Sequence, residues 1–472
     1  MVEISSEEFE RKIKSNEEHF RDIIINFDNE IDLKTPLLSK KLTFKNVTFK
    51  GMNVIFSNNQ VEEISKNSSF IFEDCNFLCD FLFSSCSLEN LTFISCTINN
   101  KSIEIRNCYL NNLSFEENTK DIHNVKSNII KSSTIKINHG KINHIEFDNI
   151  QFNGGALRII GQKSAKSLDI INSILNKVII SHCHFSDYFD YLGNNVNLIA
   201  DNNHFNRCTF NNSSFFETKF NSKTHFNNCI FNNTANFQSI KNEIDCDFKF
   251  TDCDFNKFVD FDKSKIDKLR FEKIKFHDFA SFQETYFNII EIDKTSFEKG
   301  AFFDDIQIKK INDCDRRTIR TIKQQLQKTE NRIDFNRFRS HELAAHYKEL
   351  NWKWNSGFID KSILFASKIS TDFGNSWRKA LRFILIGGFI IYLLLYIFEN
   401  RDSIINLSNI DNWTRLFSGF FRFLLVTDFY NPLETDRIYL TNPFSWLIFI
   451  FGKIFIAFGI YEMIQSFRKF KA

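Results

Sequence analysis

FNRCTFNNSSFFETKF, residues 205–220, sets Phe205, Phe210, Phe215 and Phe220 five apart. Two residues before each of the last three stands a small side chain: Cys208, Ser213 and Thr218. A five-residue period fits neither the ~3.6-residue turn of a helix nor the alternation of a plain strand. It fits a chain that turns a corner every five residues, with one large and one small residue pointing inward from each side. The residue between them, as Asn76 or Asp254, faces solvent, and the frequent Asn and Asp of the remaining steps suit the corners.

The same register runs through Cys75/Phe77, Cys86/Leu88, Cys96/Ile98, Cys108/Leu110, Cys183/Phe185, Cys229/Phe231 and Cys253/Phe255. It returns at Ala280/Phe282, Thr285/Phe287, Thr295/Phe297 and Ala301/Phe303. The ladder explains why a chain of 472 residues holds 58 Phe against 14 Gly and 3 Pro. Eight of the 11 cysteines occupy the small inward position and read as small hydrophobes. With no CxxC pair, and with an N-terminus (MVEISSEEFERKIK) unlike a secretory signal, they are expected to be reduced thiols in a cytoplasmic compartment. The net charge of +2 points to no partner.

This pattern, a small residue, any residue, then Phe or Leu and any two more, resembles the pentapeptide-repeat family. The resemblance implies a right-handed, four-sided β-helix over residues 41–312. Roughly 13 coils stacked ~4.8 Å apart would make a rod of ~60 Å. The pattern is strongest at 70–98, 203–237 and 248–308. It fades at 116–180 and 186–200, which read as irregular coils or loops. Residues 1–40 read as an N-terminal helical cap. Ser5 and Glu8 have capping-box spacing, and Phe9, Ile13, Phe20, Ile23, Ile24 and Phe27 recur at roughly helical steps.

Within the rod, the segment Lys120–Lys177 is basic. Lys126, Lys131, Lys136 and Lys141 stand at five-residue steps, with His139 and His144 among them. Clustered cations point to a nucleotide or single-stranded nucleic-acid ligand. Against that, five-residue steps on a four-sided coil put the lysines on successive sides, as on any solvated surface. His182 and His184 face outward without a third ligand nearby, so neither a metal nor a cofactor is expected. No nucleophile elbow, phosphate loop or zinc-hydrolase motif is present, and no enzyme activity is expected.

Residues 313–379 lose the five-residue period and suit amphipathic helices broken near Asn331. Arg316, Arg317, Arg320 and Lys323 make the first of them basic, either as a solvated face or as a contact for anionic lipid headgroups. Trp352, Trp354 and Trp377 then mark a membrane boundary.

Residues 380–472 hold two segments long enough to span a bilayer, Ala380–Phe398 and Pro443–Phe467. Between them WTRLFSGFFRFLLVTDFYNP, 413–432, is too short to cross. It has the outline of a pore helix ending at Thr427 and Asp428, or else of a helix lying flat on the membrane surface. Arg415, Gly419 and Arg422 share one of its faces. A ring of Asp428 side chains would favour cations. Lys453, an intramembrane charge and so functional by default, has two placements. It lines the pore with Thr427 and Asp428, or it meets Asp428 or the carbonyls of the short helix. Gly452 and Gly459 lie on one face and suit close helix packing. Arg378 and Lys379 before the first span, Arg382 at its entrance, and Arg468, Lys469 and Lys471 after the second, place both termini in the cytoplasm.

ENRIDFNRFRSHELAAHYKEL, DFGNSWRKALRF and FGKIFIAFGIYEMIQSFRKF also resemble membrane-tethered pentapeptide-repeat proteins of bacteria, whose two-span modules are similar in layout to simple tetrameric cation channels. The resemblance implies a channel or a membrane-anchored sensor. Two spans and one pore loop cannot enclose a pore alone, so the expectation is a homo-oligomeric, tetrameric channel of the bacterial inner membrane gated by a β-helical sensor, by analogy with anti-phage effectors that depolarise the membrane. The rival expectation is a membrane-anchored scaffold whose rod recruits a protein partner. The expected fold is mainly β: a β-helix, then an α-helical linker, then two transmembrane helices with a re-entrant pore helix.

Overall fold

A computed structural model describes the chain except residues 35–40, 58–67, 119–126, 197–202, 243–245, 353–356, 400–409, 435–436 and 469–472. The chain divides into two compact units, Met1–Thr318 and Ile319–Ala472.

The first unit is a parallel β-solenoid of about 12 turns. Its register is the one the phenylalanines predict. Phe205 pairs with Phe226, Phe226 with Phe250, and Phe250 with Phe271. Along a second column Phe210, Phe231, Phe255, Phe276 and Phe297 stack with centroids 5.0, 4.4, 5.0 and 4.8 Å apart. These spacings match the ~4.8 Å between strands, so each coil offers one ring to the next at van der Waals distance.

The small inward residues do more than leave room for the rings. Arg207, Asn228 and Asp252 turn the corners with φ of 52°, 52° and 51°. Cys208, Cys229 and Cys253 follow them, and each thiol donates to a carbonyl of the preceding coil: Ile180, Phe205 and Phe226, at 3.4, 3.4 and 3.6 Å. Ser264 and Thr285 donate in the same way to Phe237 and Phe261, at 2.9 and 3.1 Å. At these corners Cys, Ser and Thr combine small size with a donor, while Ala280 and Ala301 fill other small inward positions by size alone. All 11 cysteines are buried and unbridged.

Two expectations are corrected. Among the described residues, 129–180 continues the solenoid in parallel pairing, with one register shift between Ala165 and Ser167. Ile129–Asp148 pairs along Ser102–Glu116, and Gln151–Ile160 along Ile129–Asp148. Ile135, Ile137, Ile142 and Ile145 are buried where other coils use Phe, and Ser132, His139, Gly154, Gly155 and Gly161 turn the chain with positive φ. The size signal was lost while the geometry was kept. At the N-terminus the helix (α1) spans only Ser6–Lys14, its first turn capped by Ser5, whose Oγ accepts from the Glu8 amide at 3.3 Å. Phe20, Ile23, Ile24 and Phe27 lie on strands His19–Arg21 and Ile23–Phe27 instead. Phe9 of α1 packs edge-on against Phe20 and Phe27.

The second unit is helical. After α2 (Arg316–Lys328) and α3 (Arg332–Glu349), Asn331 caps α3 by accepting from the Asp334 amide at 3.1 Å. Arg320 and Lys323 both pair with Glu342 of α3, so these basic residues of α2 are engaged within the protein. α4 (Phe358–Thr371) ends at Asp372, Phe373 and Gly374, three successive left-handed residues that reverse the chain.

Two helices are long and apolar enough to cross a membrane: Trp377–Glu399, 23 residues, and Pro443–Phe467, 25 residues. Only 22 % and 33 % of their apolar windows are buried inside the protein, where the core helix of a soluble protein would be mostly covered. They pack closely. Gly459 meets the side chain of Ile384, and Gly452 meets Phe423 and Ile391, with no room for a Cβ at either.

Candidate functional site

The helix Ile410–Leu424 lies between the two long apolar helices. Its inner face, Phe420 and Phe423, joins Ile384, Ile391, Tyr392, Leu395, Phe449 and Ile456 in one buried cluster. Gly419 lets the helix come up against the Tyr392 hydroxyl and the Pro432 carbonyl. Leu424 reaches Gly388, which stands 11 residues before the end of the first long helix, or ~16 Å along it.

The C-terminal end of this short helix meets Lys453. Nζ donates to the carbonyls of Phe423 and Leu425 at 2.9 and 2.6 Å. The rings of Phe423 and Phe449 flank the ammonium, with centroids at 5.3 and 4.9 Å. Carbonyls at a helix C-terminus lack intrahelical donors and carry the negative end of the dipole. A buried ammonium satisfies both needs. Of the two placements open to Lys453 in the sequence, the structure adopts the one against the helix end. The side chain is 5 % exposed, whereas Thr427 is exposed and Asp428 half-buried. Desolvation explains the placement: a buried charge needs partners, and the carbonyls are the nearest ones.

Thr427 and Asp428 follow the end of the helix. Thr427 is exposed. Asp428 is half-buried, its carboxylate 3.7 Å from Arg422 Nε and accepting from the Tyr430 amide at 3.1 Å. Arg422 also donates to the Glu434 carbonyl. The returning segment is tied to both long helices. Thr441 donates through its amide and its hydroxyl to Glu399, each at 3.2 Å, and Trp446 Nε1 donates to the Leu440 carbonyl at 2.9 Å. A short helix that ends halfway along two apolar helices, followed by a segment that returns to the end of the first and the start of the second, has the geometry of a re-entrant segment.

Glu462, further along the second long helix, also has buried partners. It is 7 % exposed, and its carboxylate accepts from Thr371 and Ser367 of α4 at 2.7 and 3.3 Å. The signal for α4 as a partner was its pair of hydroxyls one helical turn apart.

In the solenoid, Lys131, Lys136 and Lys141 pair in register with Asn99, Glu104 and Tyr109. Left-handed corners at Ser132 and His139 separate them, so they stand on different sides and are not brought together. His144 shares a 2.9 Å hydrogen bond with Ser167. Lys126 lies outside the described residues. His182 occupies a corner and His184 the next strand, and no metal-binding cluster occurs among the described residues.

An outward column that the sequence did not reveal runs through Glu146, Asp169 and Asp190 on successive coils. Partial burial, and after it Asp190 and Glu146, pushes Asp169 up to about 6. A raised carboxyl opposes folding while it is ionised, so the penalty is present above pH ~6 and is relieved as the pH falls toward the ordinary value of ~4. Asp169→Asn is expected to raise the thermal midpoint of the solenoid at pH 7.5. The gain is of order 1 kcal/mol once ~1.4 kcal/mol per unit is discounted for solvent screening. The same variant should flatten the rise in stability between pH 7.5 and pH 5, followed by circular dichroism.

Fold and site together define a parallel β-solenoid joined to a helical unit with two helices of membrane-spanning length, against both of which a short helix packs one face. No family model, no curated protein and no solved structure matches the chain.

Proposed function

We propose that the chain is one subunit of a homo-oligomeric, tetrameric cation channel of a bacterial inner membrane. The solenoid is its cytoplasmic sensor for a nucleotide or nucleic-acid ligand, and both termini lie in the cytoplasm. The observation that carries this reading is the short helix Ile410–Leu424, its end held by Lys453 halfway along two helices of spanning length. Irregular backbone at membrane depth is tolerated only beside protein or a water-filled cavity, so Thr427 and Asp428 belong at such a cavity. With the Lys453 charge engaged by carbonyls, Asp428, which also meets Arg422 at 3.7 Å, supplies acidic charge near the mouth, which favours cations. Two spans and one re-entrant segment cannot enclose a pore alone. Trp413, Phe417, Phe421 and Leu425, four apart and 42 %, 48 %, 63 % and 58 % exposed, offer an apolar stripe to a neighbouring copy. Closed symmetry then completes the pore. Glu462, bonded to α4, is the contact through which linker movement reaches the second span. Depolarisation on ligand binding is the output, as in an anti-phage effector.

Recording from the purified chain in planar bilayers tests this. Single-channel steps are expected, cation-selective by reversal potential under a salt gradient. Asp428→Asn should lower cation selectivity several-fold while the protein keeps its oligomeric state in detergent. A chain that is monomeric in detergent and silent in bilayers with oligonucleotides present would support the membrane-anchored scaffold instead.

A further inference from the structure

The lysines read from the sequence are scattered, but the solenoid register gathers a different set. One outward column runs Lys136, Arg158, Ile179, His204, His225, Lys249, one residue per coil. The parallel column beside it, from Asn138 to Thr251, carries only Asn, Ser, Thr and Ile. No carboxylate stands in either column over these coils. The corner next to them adds His139, His182 and Arg207. Among the described residues Lys136 and Arg158 have no acidic partner. Arg207 donates to Nε2 of His182 at 3.3 Å. The row is bounded at both ends. Glu104, paired with Arg106, precedes it; Lys249 is neutralised by Glu272, and Arg270 by Asp247 and Glu291. The local field is positive. Partial burial, and after it Lys177, holds His204 below the usual imidazole value; partial burial, then Lys249 and His204, does the same for His225.

We infer that this face binds the phosphate backbone of an extended single-stranded nucleic acid. Lys136 and Arg158 stand on adjacent coils ~4.8 Å apart, with Arg207 at the corner two coils further on, a spacing a flexible strand can track, whereas a rigid duplex touches a flat face at few phosphates. The rings of His204 and His225, 6.2 Å apart, offer flat surfaces to unstacked bases. The described residues of the face carry no exposed large apolar side chain of the kind that inserts into a lipid surface. The inference rests on the reading of the solenoid as a sensor and is independent of whether the helices conduct.

The test is fluorescence anisotropy with the full chain in nanodiscs of zwitterionic lipid, using a labelled 20-nucleotide single strand. Binding is expected to weaken with salt, with a log–log slope of about −2 for contacts by Lys136, Arg158 and Arg207 at ~0.7 per phosphate. Lys136→Glu with Arg158→Glu should cut affinity at least tenfold and flatten that slope. Lys131→Glu with Lys141→Glu, on other sides, should leave it unchanged. All four replaced side chains face outward, and an unchanged circular dichroism spectrum keeps the comparison valid. The inference is overturned if no strand binds at 50 mM salt, if both double variants lose affinity equally, if a duplex of the same length binds more tightly, or if only anionic-lipid vesicles compete. Conductance is not read in this assay, so its failure and that of the channel reading are separable.

Discussion

Lys453→Ala is expected to release the short helix from its place between the two long ones. The variant loses two charge-assisted hydrogen bonds, to Phe423 and Leu425, and leaves both carbonyls unpaired in an apolar setting. Hydrogen bonds to charged groups contribute ~1.5–3 kcal/mol each, and an orphaned buried acceptor costs a comparable amount. A loss of about 3 kcal/mol or more is therefore expected, read as a lower thermal midpoint in detergent and faster proteolysis within residues 410–442. Lys453→Met separates this role from simple space-filling. Replacing a buried ion by an apolar side chain is often neutral or stabilising when the partner charge is removed as well. Here the partners are backbone carbonyls, which no side-chain substitution removes, so Met should be nearly as damaging as Ala. Lys453→Arg keeps the charge and the donors and should recover part of the loss. If Met is as stable as Lys, the carbonyl contacts are incidental. If Met alters conductance without altering stability, the side chain acts in the pore.

How much of this was legible in sequence depended on whether a residue's size or its partner carries the information. The Phe ladder was readable because each inward ring recurs at a fixed step with a small residue two places before it. The coils of Ile129–Ile171 were not, because Ile fills the same inward positions without marking them. The two long helices were plain from length and apolarity. The role of Lys453 was confined to two placements, since a charge in an apolar helix must meet something polar, but which group it met depended on the depth reached by Ile410–Leu424. Glu462 and the column from Lys136 to Lys249 were invisible for a related reason. Their partners lie 91 residues away in one case and a whole coil away in the other, and the coils vary in length. Phe205 to Phe226 is one coil, and so is Phe226 to Phe250.

The solenoid core makes the second large prediction. Phe237 is 0 % exposed and stacks on Phe215 and Phe261, with centroids at 4.7 and 4.8 Å and rings nearly parallel. Phe237→Ala should cost ~3–5 kcal/mol, because the cavity is walled by neighbouring coils that cannot collapse without breaking their own register. In a stacked array each coil is stabilised chiefly by the two it touches. The loss should therefore appear first as local exposure of the strands at Phe215 and Phe261 in hydrogen exchange. The adjacent small position sets the control. Cys229→Ser keeps a donor to the Phe205 carbonyl, as Ser264 does toward Phe237, and should change the thermal midpoint little. Cys229→Ala drops the donor and should cost ~1 kcal/mol. Cys229→Leu keeps apolarity but overfills the site, at ~1–3 kcal/mol. If size alone ruled this position, Ala and Ser would be equivalent there. A Ser variant measurably more stable than Ala, with Leu worse than either, would establish that the ladder selects a donor as well as a volume.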